Sequence, residues 1–363
     1  MNNLKKYLLE RYPTVWNTHI IWILPLAIIA HFFFFGMGFL GLTDNVLADD
    51  YYYRWAENFE GLPLLLNFVI STLLIVVWLI FVFKNNAFKH FYPIKRRQLL
   101  GQFVAYFVIV LSCISFFISF SAGEQVKVIT KYTDSYIEAA LEQCSQINDD
   151  SYNHSDNYNN YDEFTRDCHI AENAYNIKNK EFFKDYYIFT IAFMIAAYIV
   201  TLLIFAVKIT GLRTTLLSII TGGILIIFLC ILLFFITSLV SFRYEERVAM
   251  SVFSLFYLLI LFCSVRMQQH FGKLISGILL NITMFFFLPI LLIVGILLFD
   301  FLEYLSYHFD LYGLENVLYD IEYYTNDDFK IPFLLLNITI ILCVIGFMGL
   351  YSTVMKQWKS LST

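Results

Sequence analysis

Long uninterrupted runs of apolar residues alternate along this chain with shorter polar stretches. A helix rises about 1.5 Å per residue, so about 20 apolar residues cross a hydrocarbon core about 30 Å thick. Eight runs meet that requirement: Ile20–Gly41, Leu62–Phe83, Gly101–Ser121, Tyr186–Val207, Thr214–Ser241, Val248–Val265, Leu274–Phe299 and Ile331–Tyr351. Within lipid every backbone N–H and C=O needs a partner in the protein, which a helix supplies by itself. The runs do not alternate with polar residues, which counts against a transmembrane barrel. The pattern predicts an all-α polytopic bundle of about eight spans. The fifth run is long enough to tilt or kink, with Gly222 and Gly223 inside it. The first run is too long for the apolar core of a cleaved signal peptide, and no small-residue cleavage site follows it.

Charge then orients the bundle. Only 15% of the 363 residues are charged, against about 25% in a soluble domain. With the N-terminus placed in the cytoplasm, fourteen of the 24 Lys and Arg fall in inner segments, against a single acid, Glu10. The outer segments then hold ten basic and 28 acidic residues. Short loops rich in Lys and Arg stay inside, so both termini are expected in the cytoplasm. A wrong span count scrambles this separation. The frequency of Asn, Ile, Lys, Phe and Tyr is that of an AT-rich bacterial genome, which points to the inner (plasma) membrane and periplasmic outer loops.

The loops divide the chain into 1–121, 122–185 and 186–363. Segment 122–185 is predicted to form a small helical extracytoplasmic cap, without apolar content for much of a core. Within it Glu124–Cys144 reads as helical, because Val128, Tyr132, Tyr136 and Ala139 recur at helical spacing. Residues 148–162 read as a loop, and 163–184 as a second helix. Cys144 and Cys168 both lie here; in an oxidising compartment they either form a disulfide or remain two free thiols. In segment 300–330, Leu302, Leu305, Phe309 and Tyr312 follow helical spacing, as a helix in the headgroup region or packed on the bundle. Asn2–Trp16 reads as a basic interfacial helix, with Leu4, Leu8, Tyr12 and Val15 on one face and Pro13 bending its exit.

Candidate chemistry inside the membrane is sparse. No Asp, Glu, Lys or Arg lies deep in a run, and His31 is the one deep ionisable residue, a possible intramembrane polar site. Asn67, Asn281 and Asn337 occur singly, as interhelical hydrogen-bonding residues do. There is no His-Glu-x-x-His and no phosphate-binding Gly-x-x-x-x-Gly-Lys-Ser/Thr loop. His154, His169, Asp167 and Arg166 cluster in sequence but lack metal-ligand spacing. No cofactor, metal or nucleic-acid partner is expected, and no enzymatic step in this chain. Membrane lipids are its expected surroundings.

The densest cytoplasmic motif is Lys84–Gly101, KNNAFKHFYPIKRRQLLG. It interleaves aromatic and basic residues, and Pro93 suits the first turn of a helix that runs into the third span. The stretch Tyr92-Pro93-Ile94-Lys95-Arg96-Arg97-Gln98-Leu99-Leu100-Gly101 resembles the segment after the second span in permease subunits of type 2 ABC exporters. Asn2–Trp16 is similar to that family's N-terminal connecting helix, and 300–330 to its outer re-entrant helices. That family usually has six spans, and the long outer loop after the third run also departs from it. The resemblance implies a separate ATPase subunit docked on Phe88, Phe91, Tyr92, Pro93, Lys95, Arg96 and Arg97, and a second permease copy or homologue. The alternative is a non-transporting scaffold or sensor that binds partners through its acidic outer loops. A lipid- or glycan-modifying enzyme is a third reading.

Overall fold

A computed structural model describes residues 7, 10–48, 52–84, 96–150, 158–179, 187–239, 245–266, 270–309, 313, 316–318 and 330–360. Among the described residues the long elements are all helices. They are α1 (Pro13–Asn17), α2 (Ile20–Gly41), α3 (Asp44–Leu47), α4 (Tyr52–Lys84), α5 (Arg96–Ile114), α6 (Phe116–Lys131) and α7 (Asp134–Asp150). They continue with α8 (Tyr158–Asn179), α9 (Tyr187–Thr210), α10 (Leu212–Leu239), α11 (Glu245–Arg266), α12 (Lys273–His308) and α13 (Lys330–Ser360). Among these residues eight helices are long and apolar enough to cross a membrane, in α2, α4, α5 and α9 to α13. The chain is an integral multi-pass membrane protein. Phe32, Phe68, Phe234 and Leu350 are exposed on these helices, a surface that hydrocarbon covers without cost and water does not.

The chain forms two compact units that do not follow chain order. The first contains 1–85 and 107–197, the second 86–106 and 198–363. Segment 122–185, set apart in the sequence, thus falls with the first spans.

In the first unit α2 and α6 make the tightest pairing. A Cβ on Gly38 would lie 2.0 Å from the Phe120 carbonyl oxygen, and one on Gly123 would lie 2.2 Å from that of Phe35. Only glycine permits backbones this close, and dispersion between them holds helices together where the hydrophobic effect does not. Phe34 stacks on Phe116 with ring centroids 5.4 Å apart. At the start of α2 the chain turns at Thr18-His19, where His19 takes φ 57°. Pro13 opens α1; the turn comes at Thr18-His19, after Asn17. The buried Trp78 indole of α4 donates to the Thr18 carbonyl at 2.8 Å, tying this turn to the second span.

The second unit is built around α12, which packs against α10, α11 and α13. Gly277 admits Thr214 and Trp358 to its surface. Phe287 stacks on Phe347 at 3.8 Å, and Phe347 on Tyr351 at 5.1 Å. Helix α12 runs on to His308, so residues 300–308 extend the seventh span instead of starting a loop. An ion pair between Arg247 and Asp300, 2.8 Å apart, joins α11 to that extension. Leu302 and Leu305 are half-buried there, Phe309 is exposed, and Tyr312 lies outside the described residues. In the fifth span α10 continues through Gly222 and Gly223.

Candidate functional site at an interruption in the third span

The run Gly101–Ser121 reads as one span, but its helix is divided. α5 ends at Ile114, Ser115 leaves helical geometry at φ −97° and ψ 21°, and α6 resumes at Phe116. Neither proline nor glycine causes the break. Serines cluster there, and Ser115 turns its hydroxyl onto the Leu111 carbonyl at 2.8 Å, a side-chain bond that competes with the helical ladder. A break frees backbone donors and acceptors, each costing several kcal/mol if left unpaired in hydrocarbon.

Two side chains from other helices take up freed groups. His31 of α2 places Nε2 3.0 Å from the Ser112 carbonyl oxygen and Nδ1 2.6 Å from Ser119 Oγ. A carbonyl only accepts, so Nε2 carries the proton; in the neutral ring Nδ1 then accepts from the Ser119 hydroxyl. His31 therefore bridges the break, holding the last turn of α5 and the first turn of α6 at once. Asn67 of α4, itself buried, accepts the Phe117 N–H at 3.3 Å. The Phe116 ring packs edge-on against His31 at 4.8 Å and fills the space beside it. The predicted polar site at His31 is thus a junction of first, second and third spans. Its chemistry is that of a held hinge, made of neutral donors and acceptors.

Beyond the hinge, α6 leads into the α7–α8 pair. Sequence periodicity carried one helix through Glu124–Cys144, but the helix ends at Lys131 and restarts at Asp134. The break shifts the inward face. Val128 and Tyr132 are buried as expected, whereas Ile137 turns inward in place of the exposed Tyr136 and Ala139. Leu42, Leu47, Val128, Tyr132, Ile137, Ile170, Ala174 and Ile177 form a small core. Glu124, assigned by sequence to the loop, is buried beside the Gly38–Gly123 contact.

Cys144 and Cys168 are joined in a disulfide that closes the α7–α8 pair. Polar bonds fasten the pair to α3. Arg166 donates to Asn45 Oδ1 at 2.7 Å, and Asn173 to the Leu47 carbonyl at 2.7 Å. Lys178 pairs with Asp134 at 2.7 Å and donates to the Tyr132 carbonyl at 3.1 Å. Asp44 accepts from Lys131 and from the Tyr132 hydroxyl, the latter at 2.5 Å. Those two bonds, the Lys131 one first, hold the Asp44 carboxyl below its usual range. Burial, reinforced by Asp44, pushes the Tyr132 phenol up.

A second polar cluster belongs to the other unit. Asn281 Nδ2 donates to Thr210 Oγ1 at 2.9 Å and Ser218 Oγ at 3.0 Å. Its Oδ1 is buried with no hydrogen-bond partner among the described residues. Nearby, Tyr351 meets Ser264 Oγ at 2.5 Å and Tyr257 donates to the Thr283 carbonyl at 3.1 Å. Lys208 and Gln102 both donate to the Tyr106 hydroxyl, at 3.3 and 3.2 Å.

The remaining sequence candidates are dispersed. Phe88, Phe91, Tyr92, Pro93 and Lys95 lie outside the described residues, as does His154. Arg96 opens α5, and Arg97 is exposed on its first turn. Arg166 serves the attachment to α3, while Asp167 is exposed and His169 half-buried on α8. The hinge was missed in the sequence because Ser112, Ser115 and Ser119 are ordinary residues of a membrane helix. No family model, curated protein or solved structure matches the chain.

Proposed function

We propose that the chain is a permease-like membrane subunit of a type 2 ABC export system, energised by a separate ATPase. Both termini lie in the cytoplasm of a bacterial inner membrane, and the α7–α8 pair forms an extracytoplasmic cap. The charge split along the sequence supports this orientation, and the Cys144–Cys168 disulfide suits an oxidising outer compartment. One observation carries the reading. Helix α5 starts at Arg96, within the segment that resembles a coupling helix, and runs unbroken to the hinge at Ser115. A push on Phe88–Arg97 is then delivered to a joint whose far arm, α6, carries the cap. The ATPase biases the bundle between two states through its unequal affinity for them. A second copy or homologue completes the path, and no catalytic step is assigned to this chain.

Affinity purification of the tagged chain from its own membranes tests the reading. Recovery of an ATPase subunit is expected, with a photo-crosslinker at Phe91 or Arg97 linking to it. If no ATPase is recovered and neither position crosslinks, the proposal fails. A scaffold or sensor role is the second reading. The disulfide-closed cap with its own small core favours it, since that is a rigid surface for a partner. Shortening segment 151–157, with both cysteines kept, separates the two. A scaffold loses a protein complex while substrate flux is unchanged.

A further inference from the structure

A groove of about 520 Å³ runs between the start of α2 and the end of α4, both in the first unit. Its lining includes His19, Trp22, Leu26 and Ile29 on one side and Val77 and Phe81 on the other. From His19 to Ile29 the helix rises about 15 Å. That is half of a hydrocarbon core of about 30 Å, so the groove is one leaflet deep. Trp78 forms the floor, with its indole N–H already committed to Thr18. The walls are open sideways: Trp22, Leu26, Ile29, Val77 and Phe81 are all exposed. Such a groove admits a flexible chain from the bilayer.

One end of the groove is polar and basic. His19 lines it at the turn before α2. Lys84 follows Val77 and Phe81 by seven and three residues on α4, which puts it on the same helical stripe. It is exposed at the last turn, just past the groove. Glu10, beside Arg11 and nine positions before His19, is the one acidic residue in 1–41 and 61–84, so little opposes a negative group there. An apolar channel one leaflet long, with the Lys84 cation and the His19 imidazole at its mouth, matches an acyl chain joined to a phosphate.

We propose that this groove binds an anionic phospholipid, with one acyl chain along Trp22–Ile29 and its phosphate at Lys84 and His19. The bound lipid pins the α1–α2 turn to the second span. The site does not depend on the export reading.

The test uses the full chain in phosphatidylcholine vesicles and reads quenching of tryptophan by lipids with brominated chains. The relevant signal is the part that disappears in Trp22→Phe. Brominated phosphatidylglycerol is expected to reach half-maximal quenching at about 5-fold lower mole fraction than brominated phosphatidylcholine. A 5-fold preference is about 1 kcal/mol. Lys84→Gln, an exposed change, should abolish the preference while leaving quenching itself. Native mass spectrometry of the detergent-purified chain should find phosphatidylglycerol retained by the wild type and lost from Lys84→Gln. Equal quenching by the two lipids, or a preference that survives Lys84→Gln, overturns the proposal. So does the absence of quenching by either lipid, which means that protein covers the groove.

Discussion

Polar side chains inside the two units have different tasks. In the first, His31 and Asn67 bond backbone groups that a broken helix has released, next to a glycine contact where backbones touch. In the second, Asn281 bonds hydroxyls on intact helices, and its own Oδ1 has no partner among the described residues. A side chain that covers a freed backbone group spares the full cost of burying it. One that links two intact helices adds only about 0.6 kcal/mol on average. Residues of the same type, in the same kind of run, thus differ in consequence according to what the neighbouring backbone lacks.

The sharpest way to break this comparison is at the glycines. Gly38→Leu or Gly123→Leu should cost more than about 3 kcal/mol, because the added atoms meet backbone that cannot move aside. Gly222→Ala in the second unit meets side chains, the Phe286 ring at 3.3 Å and Ile282 at 4.0 Å, and should cost less than about 1 kcal/mol. Unfolding in mixed micelles, followed by circular dichroism, measures both; equal costs would refute the distinction.

Next in size is the clamp on the α7–α8 pair. Cys144→Ser should remove about 3 kcal/mol from the α7–α8 pair, the loop-closure entropy of a 24-residue separation. Limited proteolysis should cut α7–α8 faster, while the apolar spans stay protected. If cleavage rates are unchanged, the pair is held by the α3 contacts alone.

Asn67→Leu and His31→Leu should each cost about 1–3 kcal/mol, the penalty of a buried group left unsatisfied. Asn281→Leu should cost less than about 1 kcal/mol, since it removes a buried acceptor that has no partner among the described residues. A double-mutant cycle between His31→Leu and Ser119→Ala should show coupling if the imidazole accepts that hydroxyl proton. Asn281→Leu more harmful than Asn67→Leu would reverse the comparison.

The smallest effect is electrostatic. The carboxyl of Asp44 is held down in the folded state, so the ionised form is favoured there. Its stabilisation is present above the unfolded value and disappears as pH falls through the lower folded one. Both partners are substantially exposed, so the Lys131 pair contributes at most about 1 kcal/mol. Asp44→Asn should weaken the attachment of the α7–α8 pair slightly at neutral pH and flatten its acid sensitivity below about pH 4. Hydrogen exchange of α3 and α8 amides reads this; an unaltered pH profile would assign the acid response to another carboxylate.

Periodicity served well where each helix continued and failed at each interruption. Ser115 and Thr133 stop helices without proline or glycine, so the runs containing them read as continuous. Past Thr133 the phase is reset, which is why Ile137 is inside and Tyr136 outside. At the other end of the chain, Asp300 looked like the start of a loop because it is charged. Its ion pair with Arg247 lets α12 continue through it. Of the candidate site, His31 stood out as the deep ionisable residue, while its partners did not.

That the protein is helical, lies in a membrane and crosses it with about eight helices follows from the order of its residues alone. Length and apolarity suffice for this, because hydrocarbon penalises every unpaired backbone group. Where the helix breaks at Ser115, which glycines touch backbone and which serine meets His31 are set by packing between distant helices. Those depend on partners 50 to 90 residues away in sequence, and the broken backbone is tolerable only because neighbouring helices supply its missing hydrogen bonds.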